Sequence, residues 1–198
     1  MKFKKSKIVL VVVISLLSAC TWEYTKPNVE AEPFYEGGIL FLGHSYGTNE
    51  TVDARLEKIN FKRYDHIWLG GDVCAESDHK RSTLEYLDSL FDLKSTGHYW
   101  TLGNHDITYD HLDWIEETTG RNEFYTEHLN GMTVMVLNTN LENPDCDRMQ
   151  EQFDMFNKVC DTIQSSSHLV VLSHHVIWDQ APGLPSLNSR ANANKGYW

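Results

Sequence analysis

The chain has 198 residues, enough for one domain with a substantial core, and 41% hydrophobic with 12% aromatic content fits a globular protein. A formal charge of −11 argues against a nucleic-acid backbone as the main partner. It leaves phosphate substrates open, because bound divalent metals reverse the sign of a local field.

The first residues read as a targeting segment. Lys2, Lys4, Lys5 and Lys7 form a positive region, and residues 8–17 are apolar except for Ser15. That run is shorter than the roughly 20 residues a bilayer span needs, and it suits a signal peptide. Residues 1–19 are expected to be removed. Leu17-Ser18-Ala19-Cys20 looks like a bacterial lipobox, so Cys20 is the expected lipidation site and the lipid a membrane anchor. An ordinary secretory signal with an incidental cysteine is the alternative. Palmitate labelling that disappears in Cys20→Ser checks this expectation, and labelling that persists refutes it. Thr21 after the cysteine, by similarity to other lipoproteins, suggests the outer membrane facing the periplasm.

Residues 20–37, with Pro27 and Pro33, read as a linker between lipid and domain. Ile39-Leu40-Phe41-Leu42 is a first strand, ending at Gly43-His44-Ser45. Val52, Leu56 and Ile59 have helical spacing, so a helix is expected over 52–59. Ile67-Trp68-Leu69 is a strand ending in Gly70-Gly71-Asp72. A helix over 83–93 places Leu84, Leu87, Leu90 and Phe91 on one face. His98 to Leu102 is a short strand that ends in Gly103-Asn104-His105-Asp106.

A shorter helix over 112–118 is stopped by Gly120. Residues 123–129 and 132–137 flank Asn130-Gly131, a strong hairpin signal because Asn-Gly accepts the positive φ values of a type I′ turn. Polar Asn138-Thr139-Asn140 follows. The longest helix is expected over 148–163, with Met149, Phe153, Phe156, Cys160 and Ile163 as its core stripe. Leu169 to Leu172 is a strand ending in Ser173-His174-His175, and residues 177–198 read as loop. Cys146 and Cys160 either pair or stay as thiols, and Cys74 reads as a packed residue beside the site. No internal repeat is present. Strand-helix alternation with an inserted hairpin predicts an α/β domain over 38–198.

Three strands that read as buried deliver Asp72, Asn104-His105-Asp106 and His174 at the same end, which is where open α/β sheets place ligands. Asn offers a neutral oxygen ligand, His a proton donor and Asp a group to orient that His. Taken singly, Asp72 could be a turn residue and His44 an ordinary loop histidine. His175 reads as a neighbour of a ligand, since adjacent residues of extended chain point to opposite sides. His66, His79, His98, His111, His128 and His168 read as surface or packing residues.

In this order, Gly71-Asp72, Gly103-Asn104-His105-Asp106 and the post-strand His174 resemble the motifs of the calcineurin-like metallophosphoesterases, the group that includes purple acid phosphatases. The resemblance covers residues 38–175. It implies two mixed β-sheets packed face to face with helices outside, and two divalent metals (Mn, Fe or Zn) that activate a water to hydrolyse a phosphate ester. Asp72 would bridge the metals, with Asn104 and His174 on one and His44 on the other. His105 would protonate the leaving oxygen, with Asp106 holding its ring.

Two departures bear on this. The family's Asp-x-His aligns with Leu42-Gly43-His44, and Leu cannot bind a cation. The family's Gly-His-x-His has no counterpart, since no histidine follows His175. The expectation is a domain incomplete at its C-terminus, with last strands missing; a naturally degenerate form is the alternative. The expected function is phosphate-ester hydrolysis on a phosphorylated small molecule or a lipid or sugar phosphate. A catalytically degenerate binding protein on the same scaffold is the rival, and a cell-envelope interaction module would leave the three strand ends unexplained.

Overall fold

The structure, a computed structural model, describes residues 37–141 and 146–175. The expected signal peptide, Cys20, the linker up to residue 36 and the loop after His175 lie outside the described residues. Among those described, no helix is long and apolar enough to cross a membrane.

Among the described residues, six strands form two three-stranded sheets. In the first, β1 (Ile39–Leu42), β2 (His66–Leu69) and β3 (Tyr99–Trp100) run parallel, in the order β1-β2-β3. Their ends are flush: Leu42 pairs with Leu69, and Leu69 with Trp100. In the second sheet β4 (Tyr125–Leu129) is antiparallel to β5 (Met132–Val136), and β6 (His168–Leu172) is parallel to β5. The α-helices among the described residues are α1 (Arg81–Phe91), α2 (Leu112–Thr119) and α3 (Asp147–Thr162).

Strand alternation sorts the core into three layers. Ile67 and Leu69 of β2 pack on the helix side, with Leu84, Leu87 and Phe91 of α1 and Ile115 of α2. Trp68, from the opposite face of β2, meets Tyr99, Val134, Val136 and Leu172 between the sheets. Met135, alternating with Val134 and Val136, joins Val159 of α3 on the outer face of the second sheet. The result is helix, sheet, sheet, helix, the expected two-sheet sandwich flanked by helices, with the second sheet mixed and the first parallel over its described strands.

Local chemistry sets most element boundaries. Asn130 (φ 51°) and Gly131 (φ 79°) make the expected left-handed hairpin turn. Gly120 closes α2 at φ 69°, its N–H donating to the Glu116 carbonyl. The α1 helix stops at Phe91, two residues before the expected end, because Asp92 turns left-handed and Leu93 donates its N–H to the Asp88 side chain.

Two expectations need correction. Residues 52–59 do not form an α-helix: Val52 is held in a β-bridge to Tyr46, and Asp53 Oδ1 accepts the Arg55 N–H at 2.8 Å. That local capture competes with helical bonding, and only 3₁₀ turns follow, at Leu56–Lys58 and Phe61–Arg63. The α3 helix forms as expected but presents a rotated face. Its buried residues are Met149, Gln152 and Val159, while Phe153, Phe156 and Cys160 are exposed. Gln152 turns inward because its side chain accepts the Asn138 N–H at 2.8 Å and donates to the Asn138 carbonyl at 3.2 Å.

All three described cysteines are free thiols. Cys146 caps α3 and Cys160 lies near its far end, about 20 Å away along the axis at 1.5 Å per residue, beyond disulfide reach. Burial pushes the Cys74 thiol up to about 12. In a Cys20→Ser chain at pH 8, Ellman's reagent is expected to label Cys160 first and Cys146 more slowly, and Cys74 only after denaturation. Fast labelling of Cys74 in the folded chain would contradict its burial.

Candidate metal centre

The site is built where the strands stop. Gly43 and His44 follow β1, Gly70 to Asp72 follow β2, Thr101 to Asp106 follow β3, and Ser173 to His175 follow β6. Polar side chains hold these ends together across the sandwich. Thr101 Oγ1 donates to the Leu137 carbonyl at 2.7 Å, and Asn140 Nδ2 to the Leu102 carbonyl at 2.9 Å.

His44 and Asp72 are both left-handed, at φ 50° and 52°. Non-glycine residues adopt this conformation at a cost, and such strain gathers at functional positions. The turn brings His44 Nε2 to 3.1 Å from Asp72 Oδ2, and His174 Nε2 comes to 3.5 Å from the same oxygen. One ligand atom from each of His44, Asp72 and His174 lies within 4.8 Å of the other two. The Asp72 and His174 side chains are 5% and 3% exposed, and His44 is 41% exposed, so the cluster is closed on one side and open on the other.

Each group is oriented. His174 Nδ1 lies 3.0 Å from the Gly70 carbonyl, which assigns the proton to Nδ1 and leaves the Nε2 lone pair toward Asp72. Asp72 Oδ1 accepts the His105 N–H at 3.1 Å. Two glycines make room. A Cβ on Gly71 would run into His174 Nδ1, and one on Gly103 would lie 2.5 Å from the Asp72 amide nitrogen. Mixed nitrogen and oxygen donors of this kind fit a borderline divalent ion such as zinc, manganese or iron.

The sequence expectations fall into place unevenly. His44, Asp72 and His174 converge. Asn104 is exposed, between Gly103, packed on Asp72, and His105, whose N–H Asp72 accepts. His105 lies beside the cluster, but the expected partner for its ring is not Asp106. The ring Nδ1 sits 3.0 Å from the Ala75 carbonyl. Asp106 instead faces inward, fully buried, and accepts from the Asp72 N–H (2.7 Å), Val73 N–H (2.9 Å), Gly103 N–H (2.8 Å), Ser77 Oγ (2.6 Å) and Trp100 Nε1 (3.3 Å). Burial pushes its pKa up, against the pull of those donors. Asp106 is therefore the knot between the loops after β2 and β3.

His175 is not part of the cluster, as adjacency suggests, and its ring lies edge-on to His174 at 4.9 Å between centroids. It is buried, with Nδ1 2.8 Å from Thr139 Oγ1, and burial, then the neighbouring His174, lowers its pKa. Leu42, in the family's acidic position, packs against the helix-side core. The six other histidines stay outside the cluster. A second group of possible ligands, Glu50, Glu76 and His79, is engaged by the Lys80 ammonium, 2.6 Å from Glu50.

Sequence reading missed Ser77 and Asp78. Ser77 braces Asp106, and Asp78 accepts the N–H groups of Tyr109 and His111, fixing the loop after the Asn-His-Asp motif. Neither carries a short motif; only their complete burial marks them.

Comparison with known proteins agrees with this geometry. Residues 38–190 match the calcineurin-like phosphoesterase family. Among curated relatives, a symmetrical bis(5′-nucleosyl)-tetraphosphatase of Vibrio campbellii is 33% identical over 67 residues, covering 33% of this chain and 24% of the relative. One of the same name from Glaesserella parasuis is 31% identical over 67 residues, covering 33% and 23%. The match thus spans about a quarter of the length of these relatives. Strand-end ligands, a two-sheet sandwich and a family match over most of the chain lead to one conclusion: this chain belongs to the calcineurin-like phosphoesterase family.

Proposed function

We propose that the chain contributes the centre of a metal-dependent hydrolase for phosphate esters of small molecules, carried on an exported, lipid-anchored protein. The observation that supports this most directly is the convergence of His44, Asp72 and His174 on one point beside His105. In this reading Asn104, between Gly103 and His105, adds a neutral oxygen ligand. A divalent ion held there supplies Lewis acidity, lowering the pKa of a water and offsetting phosphoryl charge.

The remaining work falls to the chain. Uncatalysed phosphate-ester hydrolysis is very slow, so leaving-group protonation matters. The Ala75 carbonyl accepts a hydrogen bond from the His105 Nδ1–H, which leaves Nε2 as the atom to hold and release a proton to the leaving oxygen. The His105 backbone is tied to Asp72 through its N–H, so proton donor and ligand move as one piece. Without a Cβ at Gly71 and Gly103, His174 and Asp72 pack directly against these turns.

The test is turnover of p-nitrophenyl phosphate and its bis-ester with added manganese, iron or zinc. His105→Ala is expected to lower turnover about 10²- to 10⁴-fold, and Asp72→Asn at least as much. Full activity in Asp72→Asn would refute the assignment. Leu42 favours a second reading, a binding protein that has lost catalysis. Tight metal and phosphate binding with no turnover by the intact gene product would select it.

A further inference from the structure

Tyr46 is an exposed aromatic with no core to fill. It is 44% exposed, and no described residue takes up its hydroxyl. Its ring meets His105 at 5.9 Å between centroids and a 42° tilt, and His44 edge-on at 6.3 Å and 80°. The loop beneath it is braced. Tyr46 and Val52 form a β-bridge, the Gly47 N–H donates to the Thr51 carbonyl at 2.9 Å, and the Asp53 N–H donates to the Ser45 carbonyl at 2.8 Å. Ser45, next to it, is buried, with its hydroxyl donating to the Val73 carbonyl. The backbone under Tyr46 is thus held in place, and the tyrosine ring rests against His105 and His44. It stands between a candidate ligand and the proposed proton donor.

We propose that Tyr46 is a stacking platform that selects phosphate esters whose leaving group carries a planar aromatic ring, an aryl or nucleobase-bearing group rather than an alkyl or acyl chain. The proposal rests on the reading above, in which His105 faces the leaving oxygen. Whatever is bonded to that oxygen must extend past the His105 ring, and Tyr46 is the side chain packed beside it. Rings stack on tyrosine whatever their hydrogen-bonding edge, because every aromatic has a π-face. Stacking of this kind corresponds to about 5- to 150-fold in affinity. A flexible chain gains only area, without the planar match.

The experiment is equilibrium binding, so it does not depend on turnover. Phenylphosphonate and methylphosphonate are titrated into the full chain in zinc-containing buffer, and zinc alone is titrated separately. Wild type is expected to prefer the phenyl ligand about tenfold. Tyr46→Phe keeps that preference, and Tyr46→Leu, which stays apolar but loses the planar face, reduces it to about twofold or less with zinc affinity unchanged. A phenyl preference equal to wild type in Tyr46→Leu overturns the proposal, as does failure of both phosphonates to bind. Loss of zinc affinity in Tyr46→Leu also overturns it, because Tyr46 would then serve only to hold the His44 ring. A parallel turnover assay keeps the two readings apart. No hydrolysis with the phenyl preference intact removes the catalytic reading and leaves the platform. Hydrolysis without the preference does the reverse.

Discussion

Asp106→Asn is expected to remove a large part of the stability of the domain. The Asp106 carboxylate accepts five hydrogen bonds and is fully buried. An amide offers one acceptor atom in place of two. If its oxygen faces Asp72, Gly103 and Trp100, its NH₂ faces the Val73 N–H and Ser77; turned over, it confronts three donors instead. Either way at least one buried N–H is stranded against another donor. An unsatisfied buried group costs about 1–3 kcal/mol, more when a charge-assisted bond is lost, so about 3–6 kcal/mol is expected in total. That is a large part of the roughly 5–15 kcal/mol that a domain has. Urea unfolding is the measurement. A variant within about 1 kcal/mol of wild type would show that the knot carries little.

Gly103→Ala is expected to separate the site from the fold. Its φ is ordinary, so the strain comes from the added Cβ alone, which would lie 2.5 Å from the Asp72 amide nitrogen and so displaces the turn after β2 along with the side chain. That methyl would overlap Asp72 Oδ1, a candidate ligand atom's partner oxygen on the same carboxylate. Overpacking costs about 1–3 kcal/mol, which the domain can absorb. The Asp72 carboxylate must swing away, carrying Oδ2 off His44 and His174. Zinc affinity by calorimetry is expected to fall about 100-fold or more while circular dichroism stays near wild type. Wild-type zinc affinity in Gly103→Ala would mean that Asp72 does not hold the ion.

Which features could be read in the chain, and which could not, follows from the range of the forces involved. Asp72, Asn104-His105-Asp106 and His174 stand out in sequence because polar ligands directly after apolar runs are a poor way to end a strand. Asn130-Gly131 was equally plain, since its conformation is decided within two residues. The segment 52–59 misled because spacing alone cannot weigh Asp53 against helical bonding. The face of α3 misled for a longer-range reason. Phe153 and Phe156 are more apolar than Gln152, but Asn138, fourteen residues away, needs an amide partner. Asp106 was found as a site residue and given the wrong partner. Its donors come from the loop after β2, from Trp100 of β3 and from the turn after β3, a closeness that the parallel pairing of β2 with β3 creates.

His44 and Asp72 turn left-handed at positions where glycine would fit with less strain, at a cost of about 1–3 kcal/mol each. This sets stability and ligand retention against each other in any directed evolution of the chain. A library screened for heat resistance alone gains by replacing His44, the more exposed of the two, with glycine. Its survivors would melt later and hold metal less well. A heat-selected lineage of this domain would therefore drift toward an inert scaffold unless ion binding were kept in the screen.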